Sequence, residues 1–158
     1  MIAVIGCGNS NRQDDGAGPE VIRLLKIAGV DSHDVKLFDA GTDGMAVMFA
    51  ARGCTRMIIV DAADKGTEPG AIYEVPGVEL ERSHSTSLNL HDFRWEDALH
   101  AGRQIFREAF PQDILVFLIG AESLSFGIGL SPKVLESVQK VAKRIGTMVV
   151  SPKTAVPT

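Results

Sequence analysis

The stretch Met1-Ile2-Ala3-Val4-Ile5, running into Gly6-Cys7-Gly8 and, after a polar loop, into an apolar stripe at Val21, Leu24, Leu25 and Ala28, decides the fold. A short, uninterrupted apolar run of this kind is a strand covered on both faces. The stripe keeps the i, i+3, i+4, i+7 spacing of a helix, with Pro19 near its first turn and Gly29 just past its end. The same alternation repeats downstream. Strands are expected at Val35–Phe38, Met57–Val60 and Ile114–Ile119, and helices on the stripes Met45, Met48, Phe49, then Trp95, Leu99, Gly102, Phe106, Ala109, then Val134, Val138, Val141, Ile145. A weaker strand, Ala71–Val75, follows Pro69-Gly70 and is expected to return as an antiparallel edge. The pattern predicts an α/β fold of three layers: a doubly wound, mostly parallel five-stranded sheet with one antiparallel edge strand and helices on both faces.

Composition sets the limits on partners. With 45% hydrophobic and 23% charged residues in 158, the chain has the make-up of one soluble domain, expected over 1–150, with a mobile tail at 151–158 that carries two prolines and no periodicity. Sixteen Lys and Arg against 20 Asp and Glu leave a net charge of −4, too acidic for a protein whose affinity comes from neutralising phosphates, so nucleic acid is not an expected partner. The longest apolar run, Ile114–Ile119, is far short of a membrane span, and the N-terminus lacks the basic region of a signal peptide. Two cysteines, Cys7 and Cys54, make neither a disulfide framework nor a zinc ribbon, which points to the cytoplasm.

In a doubly wound sheet the site lies beyond the carboxyl ends of the strands. Polar residues gather there: Gly6-Cys7-Gly8-Asn9 to Asp14-Asp15-Gly16 after the first strand, Asp39-Ala40-Gly41-Thr42 after the second, Asp61-Ala62-Ala63-Asp64 after the third. The first loop is not a dinucleotide fingerprint, because the third glycine of G-x-G-x-x-G falls on Asn11, and Asp14 and Asp15 stand where a phosphate would sit. Carboxylates from several strand ends together with an imidazole make a site for a divalent transition metal. Of the four histidines, His33 lies in a polar connection and His100 on a helix body, leaving His84 and His91. Singly, each residue has a plainer role: Asp15 complements a helix dipole, Asp39 and Asp61 brace turns, His91 caps or faces solvent, and Cys7 packs as a small hydrophobe. Only their joint placement argues for a metal site.

Those residues carry a resemblance that spans nearly the whole chain in order. Gly6-x-Gly8-Asn9 with Asp14-Asp15-Gly16-x-Gly18, Asp39-x-Gly41-Thr42-x-Gly44-Met45, Ile58-Ile59-Val60-Asp61-Ala62, His91 before an amphipathic helix, and Gly120-x-Glu122-Ser123-Leu124 with Gly127-Ile128-Gly129-Leu130-Ser131-Pro132 are similar to the hydrogenase maturation endopeptidases. That family trims the C-terminal extension from the large subunit of nickel-iron hydrogenases after nickel insertion. The resemblance implies that Asp15, Asp61 and His91 bind the metal, with Asp14, Asn9, Asp39 and Gly41 in support. Some relatives carry Glu where this chain has the shorter Asp15. His84 competes with His91, which the register of the third helix favours.

The resemblance further implies that nickel arrives with the substrate, so the partner is a nickel-loaded large-subunit precursor and other divalent ions could substitute. No Ser-His-Asp or Cys-His arrangement stands out, which fits hydrolysis without a covalent acyl-enzyme. Two other readings stay open. A nickel-binding chaperone would use the same ligands and leave the extension intact, and a small nucleotide-binding regulator would use the glycine-rich loop instead.

Overall fold

Each apolar run is a strand, and the strands run past the apolar residues into the polar ones. The computed structural model describes residues 1–63, 66–82 and 93–150. The elements are β1 (Ile2–Cys7), α1 (Ala17–Ile27), β2 (Val35–Gly41), α2 (Gly44–Ala51), β3 (Arg56–Ala63), β4 (Ile72–Pro76), α3 (Trp95–Phe106), β5 (Asp113–Gly120) and α4 (Pro132–Val150). Backbone ladders carry β2 through Asp39 to Gly41 and β3 through Asp61 to Ala63, so both aspartates are strand residues rather than loop residues.

The sheet order is β2-β1-β3-β5-β4. Four strands are parallel, and β4 pairs antiparallel with β5, Ile72 opposite Ile119 and Pro76 opposite Leu115. The proline ends an edge strand, where a missing N–H costs little. This is the doubly wound, mostly parallel sheet with one antiparallel edge that the sequence predicts.

Helices cover both faces. On one, α1 and α4 pack together against Val4, Ile58, Val60, Phe117 and Ile119. On the other, α2 and α3 pack over Ala3, Ile5, Met57, Ile59 and Val116. The central strands β1 and β3 bury both faces, which is why their sequences show no polar alternation. Each large side chain fully buried there contributes on the order of 2 kcal/mol, so the sheet is a firm base for whatever its ends carry.

Two helical stripes differ from expectation. In α2 the buried residues are Gly44, Val47, Met48 and Ala51, while Phe49 is 54% exposed and meets Phe106 edge-on with ring centroids 5.6 Å apart. The sequence Gly44-Met45-Ala46-Val47-Met48-Phe49-Ala50-Ala51 is apolar all round, so its periodicity cannot select a face. The third helix closes at Phe106, and Ala109 lies in a following 3₁₀ turn, Arg107–Ala109.

The chain leaves β1 through α1 to β2 on one side, then crosses back through α2 to β3 on the other side of β1. Connections therefore diverge between β1 and β3. That divergence opens a crevice at the carboxyl ends of these two strands.

Candidate active site at the β1–β3 switch point

The loop after β1 folds back on itself before it enters α1. Gly8 has φ +126, and a Cβ there would collide with the backbone oxygen of Asp15, so only glycine permits the turn. With the loop closed, the Asn9 N–H donates to Asp15 Oδ2 at 2.7 Å. Gly18 serves α1 in a related way. A Cβ on it would collide with the backbone oxygens of Cys7 and Val60, so its absence lets the first turn of α1 sit directly on β1 and β3. Asp15 is thereby held at the crevice by one of its two oxygens.

Asp61 projects from β3 on the α2–α3 side of the sheet. Its Oδ2 accepts from Trp95 Nε1 at 2.8 Å, and its Oδ1 accepts from the Ala62 N–H at 2.8 Å. Both oxygens are fixed, and each keeps a second lone pair. Burial pushes the Asp61 carboxyl up to about 7; the Trp95 and Ala62 donors work against that rise, and the charges of Asp15 and Glu96 add to it.

Asp15 and Asp61 line one cleft of about 740 Å³, with Arg12, Arg94, Trp95 and Glu96 among the other walls. Gly41 and Cys7 border Asp61 in a smaller adjoining pocket. The neighbouring residues Asp14 and Asp15, alike in sequence, take opposite roles. Asp14 is fully buried: Oδ1 accepts from the Ser131 N–H at 2.7 Å, and Oδ2 accepts from the N–H groups of Glu122 and Ser123 and from Ser131 Oγ, at 2.9, 3.0 and 2.8 Å. It ties the acidic loop to the loop after β5. Asp39 lies apart from Asp15 and Asp61, on the α1 side in a hollow with Ser10, Glu20, Arg23 and Lys26, and its Oδ1 accepts from the Gly41 N–H at 3.0 Å in a tight turn. His91, His84 and Asp64 fall outside the described residues, as does the 151–158 tail.

Trp95 was legible in sequence only as a core residue of the third helix. No one-dimensional signal links its indole N–H to an aspartate 34 positions away. Cys7 is buried at the same strand end, and desolvation, followed by the charges of Asp61, Glu96, Asp39 and Asp15, drives its thiol well above the ordinary range. Burial and the surrounding carboxylates thus disfavour its thiolate, the form that acts as a nucleophile.

The fold defines a doubly wound α/β protein, and the acidic pair marks its topological switch point as the candidate site. The hydrogenase maturation protease family matches residues 19–148, and the chain belongs to that family. It is 30% identical over 146 residues to a hydrogenase expression/formation protein of Azotobacter vinelandii, spanning 89% of this chain and 70% of that one. It is 26% identical over 145 residues to the hydrogenase 2 maturation protease of Escherichia coli, spanning 91% and 87%. Against a hydrogenase expression/formation protein of Thiocapsa roseopersicina the identity is 28% over 141 residues, and the chain spans 62% of that relative's length. Among solved structures, an endopeptidase from Escherichia coli aligns with TM-score 0.78 at 25% identity, covering 98% of this chain and 94% of that one. The hydrogenase maturating endopeptidase HybD of Escherichia coli aligns with TM-score 0.78 at 24% identity, covering 96% and 93%, which speaks for the fold.

Proposed function

We propose that this protein removes the C-terminal extension of a nickel-iron hydrogenase large-subunit precursor after nickel has been seated, with the substrate's nickel as the mark it reads. The observation that carries this reading is the pairing of Asp15 and Asp61 in one cleft at the β1–β3 switch point, each with acceptor capacity left. Two carboxylates are an incomplete set: among the described residues, no group of three or more His, Cys, Asp or Glu could hold a metal ion. An incomplete set suits a metal that arrives already coordinated, with His91 as the third ligand this chain contributes.

In this mechanism nickel belongs to the substrate, where Asp15, Asp61 and His91 would hold it and it would supply Lewis-acid polarisation of the scissile carbonyl or a water. The chain's own residues bind and orient. Asp15 and Asp61 engage the metal, while Trp95 and the Ala62 N–H hold the Asp61 carboxylate at a set angle. The burial of Cys7, which disfavours its thiolate, is consistent with a route that forms no acyl-enzyme. Asn9, Asp14, Asp39 and Gly41 support the loops. Both cysteines are buried and free, which supports a cytoplasmic location, and no helix among the described residues is long and apolar enough to cross a membrane.

The test is mass spectrometry of nickel-loaded precursor incubated with wild type and with Asp15→Asn, Asp61→Asn, His91→Ala and His84→Ala. Wild type and His84→Ala should trim the precursor, and the other three should leave it intact while keeping wild-type circular dichroism. Activity in all four variants would end the reading. A protein that binds nickel and leaves the precursor whole would be a chaperone instead.

A further inference from the structure

The loop between β5 and α4 exposes two large apolar side chains, Phe126 at 76% and Ile128 at 90%, beside the acidic cleft. Exposure this high in a slack loop would mean little, but this segment is tied down. Gln13 N donates to the Gly127 oxygen and Gly127 N to the Asn11 oxygen, each at 2.9 Å, and Asp14 N donates to the Ser123 oxygen at 3.1 Å. The four bonds accepted by the buried Asp14 carboxylate close the same seam. Holding an apolar ring and an aliphatic side chain rigidly in water is unfavourable for the free chain, and such a surface marks a place where something binds.

Arg12 joins that surface to the cleft. Its guanidinium carbon lies 4.3 Å from the Phe126 ring centroid, and the residue also lines the cleft with Asp15 and Asp61. No carboxylate among the described residues pairs with it, so its N–H donors are available while its flat face is covered by the ring. Beyond Phe126, Ile128 and Leu130 border a hollow of about 240 Å³ with Leu135. Arg12 thus links the cleft to the Phe126 ring, and two residues further along the same tied-down loop Ile128 borders a mostly apolar hollow.

We infer that the Arg12–Phe126 stack with Ile128 is the docking ledge for the extended polypeptide flanking the scissile bond, a segment carrying an apolar side chain and a carboxylate. This inference rests on the endopeptidase reading above. A polypeptide cut at the metal must leave the cleft, and this side of the mouth offers it a rigid ring, a pocket and a cation with no carboxylate partner among the described residues. Aromatic anchors of this kind lose little conformational entropy on binding and carry much of an interface's affinity. The Arg12 N–H donors select an anionic neighbour, and the hollow lined by Ile128 and Leu135 takes the apolar side chain.

The experiment compares wild type with a Phe126→Ala, Ile128→Ser double variant and with Arg12→Gln, using nickel-loaded precursor. Each variant should raise KM about tenfold, the loss of one good anchor, while keeping wild-type melting, and the Phe126→Ala, Ile128→Ser variant should also keep wild-type affinity for nickel ion alone. Unchanged KM overturns the ledge, as does a wild-type dimer that the double variant splits, which would assign the surface to a second copy of the chain. Binding to immobilised precursor is measured alongside. If wild type does not trim, the endopeptidase reading fails by itself, and equal precursor binding by wild type and variants is then the result that overturns the ledge.

Discussion

The indole N–H of Trp95, at the first turn of α3, donates to Asp61 Oδ2 at 2.8 Å and so couples the α3 layer to the end of β3 at the cleft. Asp61 has its other oxygen on the Ala62 N–H, and the carboxylate is left without rotational freedom. Trp95→Phe keeps most of the buried ring and removes one donor. Groups that orient a metal ligand commonly cost 10–100-fold when lost, so nickel affinity should fall by about that factor while the fold loses about 1–3 kcal/mol. Calorimetric titration with nickel checks the first and urea denaturation the second. The chain has a single tryptophan, so binding at Asp61 should also quench its fluorescence, and an unquenched signal at saturation would place the metal elsewhere.

The raised Asp61 carboxyl makes the metal-free fold sensitive to pH in a direction opposite to that of a paired aspartate. Burial pushes Asp61 up to about 7 in the folded chain, whereas the unfolded value is close to 4. Between these values the folded state holds a proton that the unfolded state has lost. Stability therefore falls as pH rises through that window, by at most about 1.4 kcal/mol per unit, and is flat with respect to this group above 7. Asp61→Asn removes the titration and should flatten the profile from pH 4 to 7 in urea denaturation; an equally sloped profile would assign it to other groups.

Metal binding should show the same proton. Nickel must displace it from Asp61 below pH 7, and a histidine ligand, whose free imidazole ordinarily titrates near about 6.5, must likewise be neutral to bind. Affinity should weaken toward acid, and at pH 6 wild type should release more protons per nickel than either Asp61→Asn or His91→Ala. Calorimetry in buffers of different ionisation enthalpy reads the number directly. A pH-independent affinity would remove both residues from the site.

Much of this was legible in the chain, and the remainder was hidden for definite reasons. Ile2–Ile5, Met57–Val60 and Ile114–Ile119 declare themselves as strands because β1, β3 and β5 bury both faces, and the first aspartate after each of two runs marked Asp39 and Asp61. The strand ends were hidden because ladder hydrogen bonds continue where hydrophobicity stops, through Asp39 and through Asp61. The face of α2 was hidden because a helix apolar all round gives its period no contrast. Composition and spacing could not divide Asp14 from Asp15 either; only the family resemblance set Asp15 at the metal and Asp14 in support. Adjacent residues in a 3₁₀ turn point in different directions, one into the Ser123 and Ser131 backbone and one toward the cleft, and only the fold assigns which. Asp39 and Asp61 are alike as strand-end carboxylates, yet they sit on opposite faces of the sheet.

Asp14 gives a sharp structural prediction. Its carboxylate accepts four hydrogen bonds while fully buried, and Asp14→Ala leaves three backbone N–H groups and the Ser131 hydroxyl without their acceptor. Hydrogen bonds to a charged group contribute about 1.5–3 kcal/mol each in mutational series and do not add, so a total loss of roughly 3–5 kcal/mol is expected in urea denaturation. Hydrogen exchange should rise at Glu122, Ser123 and Ser131 before the sheet is affected. Protection unchanged at those amides would mean that the seam is held by the backbone bonds alone.

The central claim is that the acidic pair reads a metal presented by the substrate, and one comparison tests it most directly. Purified wild-type protein, stripped of metal, is mixed with large-subunit precursor that either carries nickel or has never received it, and the trimmed fraction is followed by mass spectrometry. Asp15 and Asp61 form an incomplete ligand set in the described cleft, so the nickel-loaded precursor should be cut and the nickel-free one should stay whole. Equal trimming of both would contradict the account, leaving a hydrolase that recognises the polypeptide and not its metal.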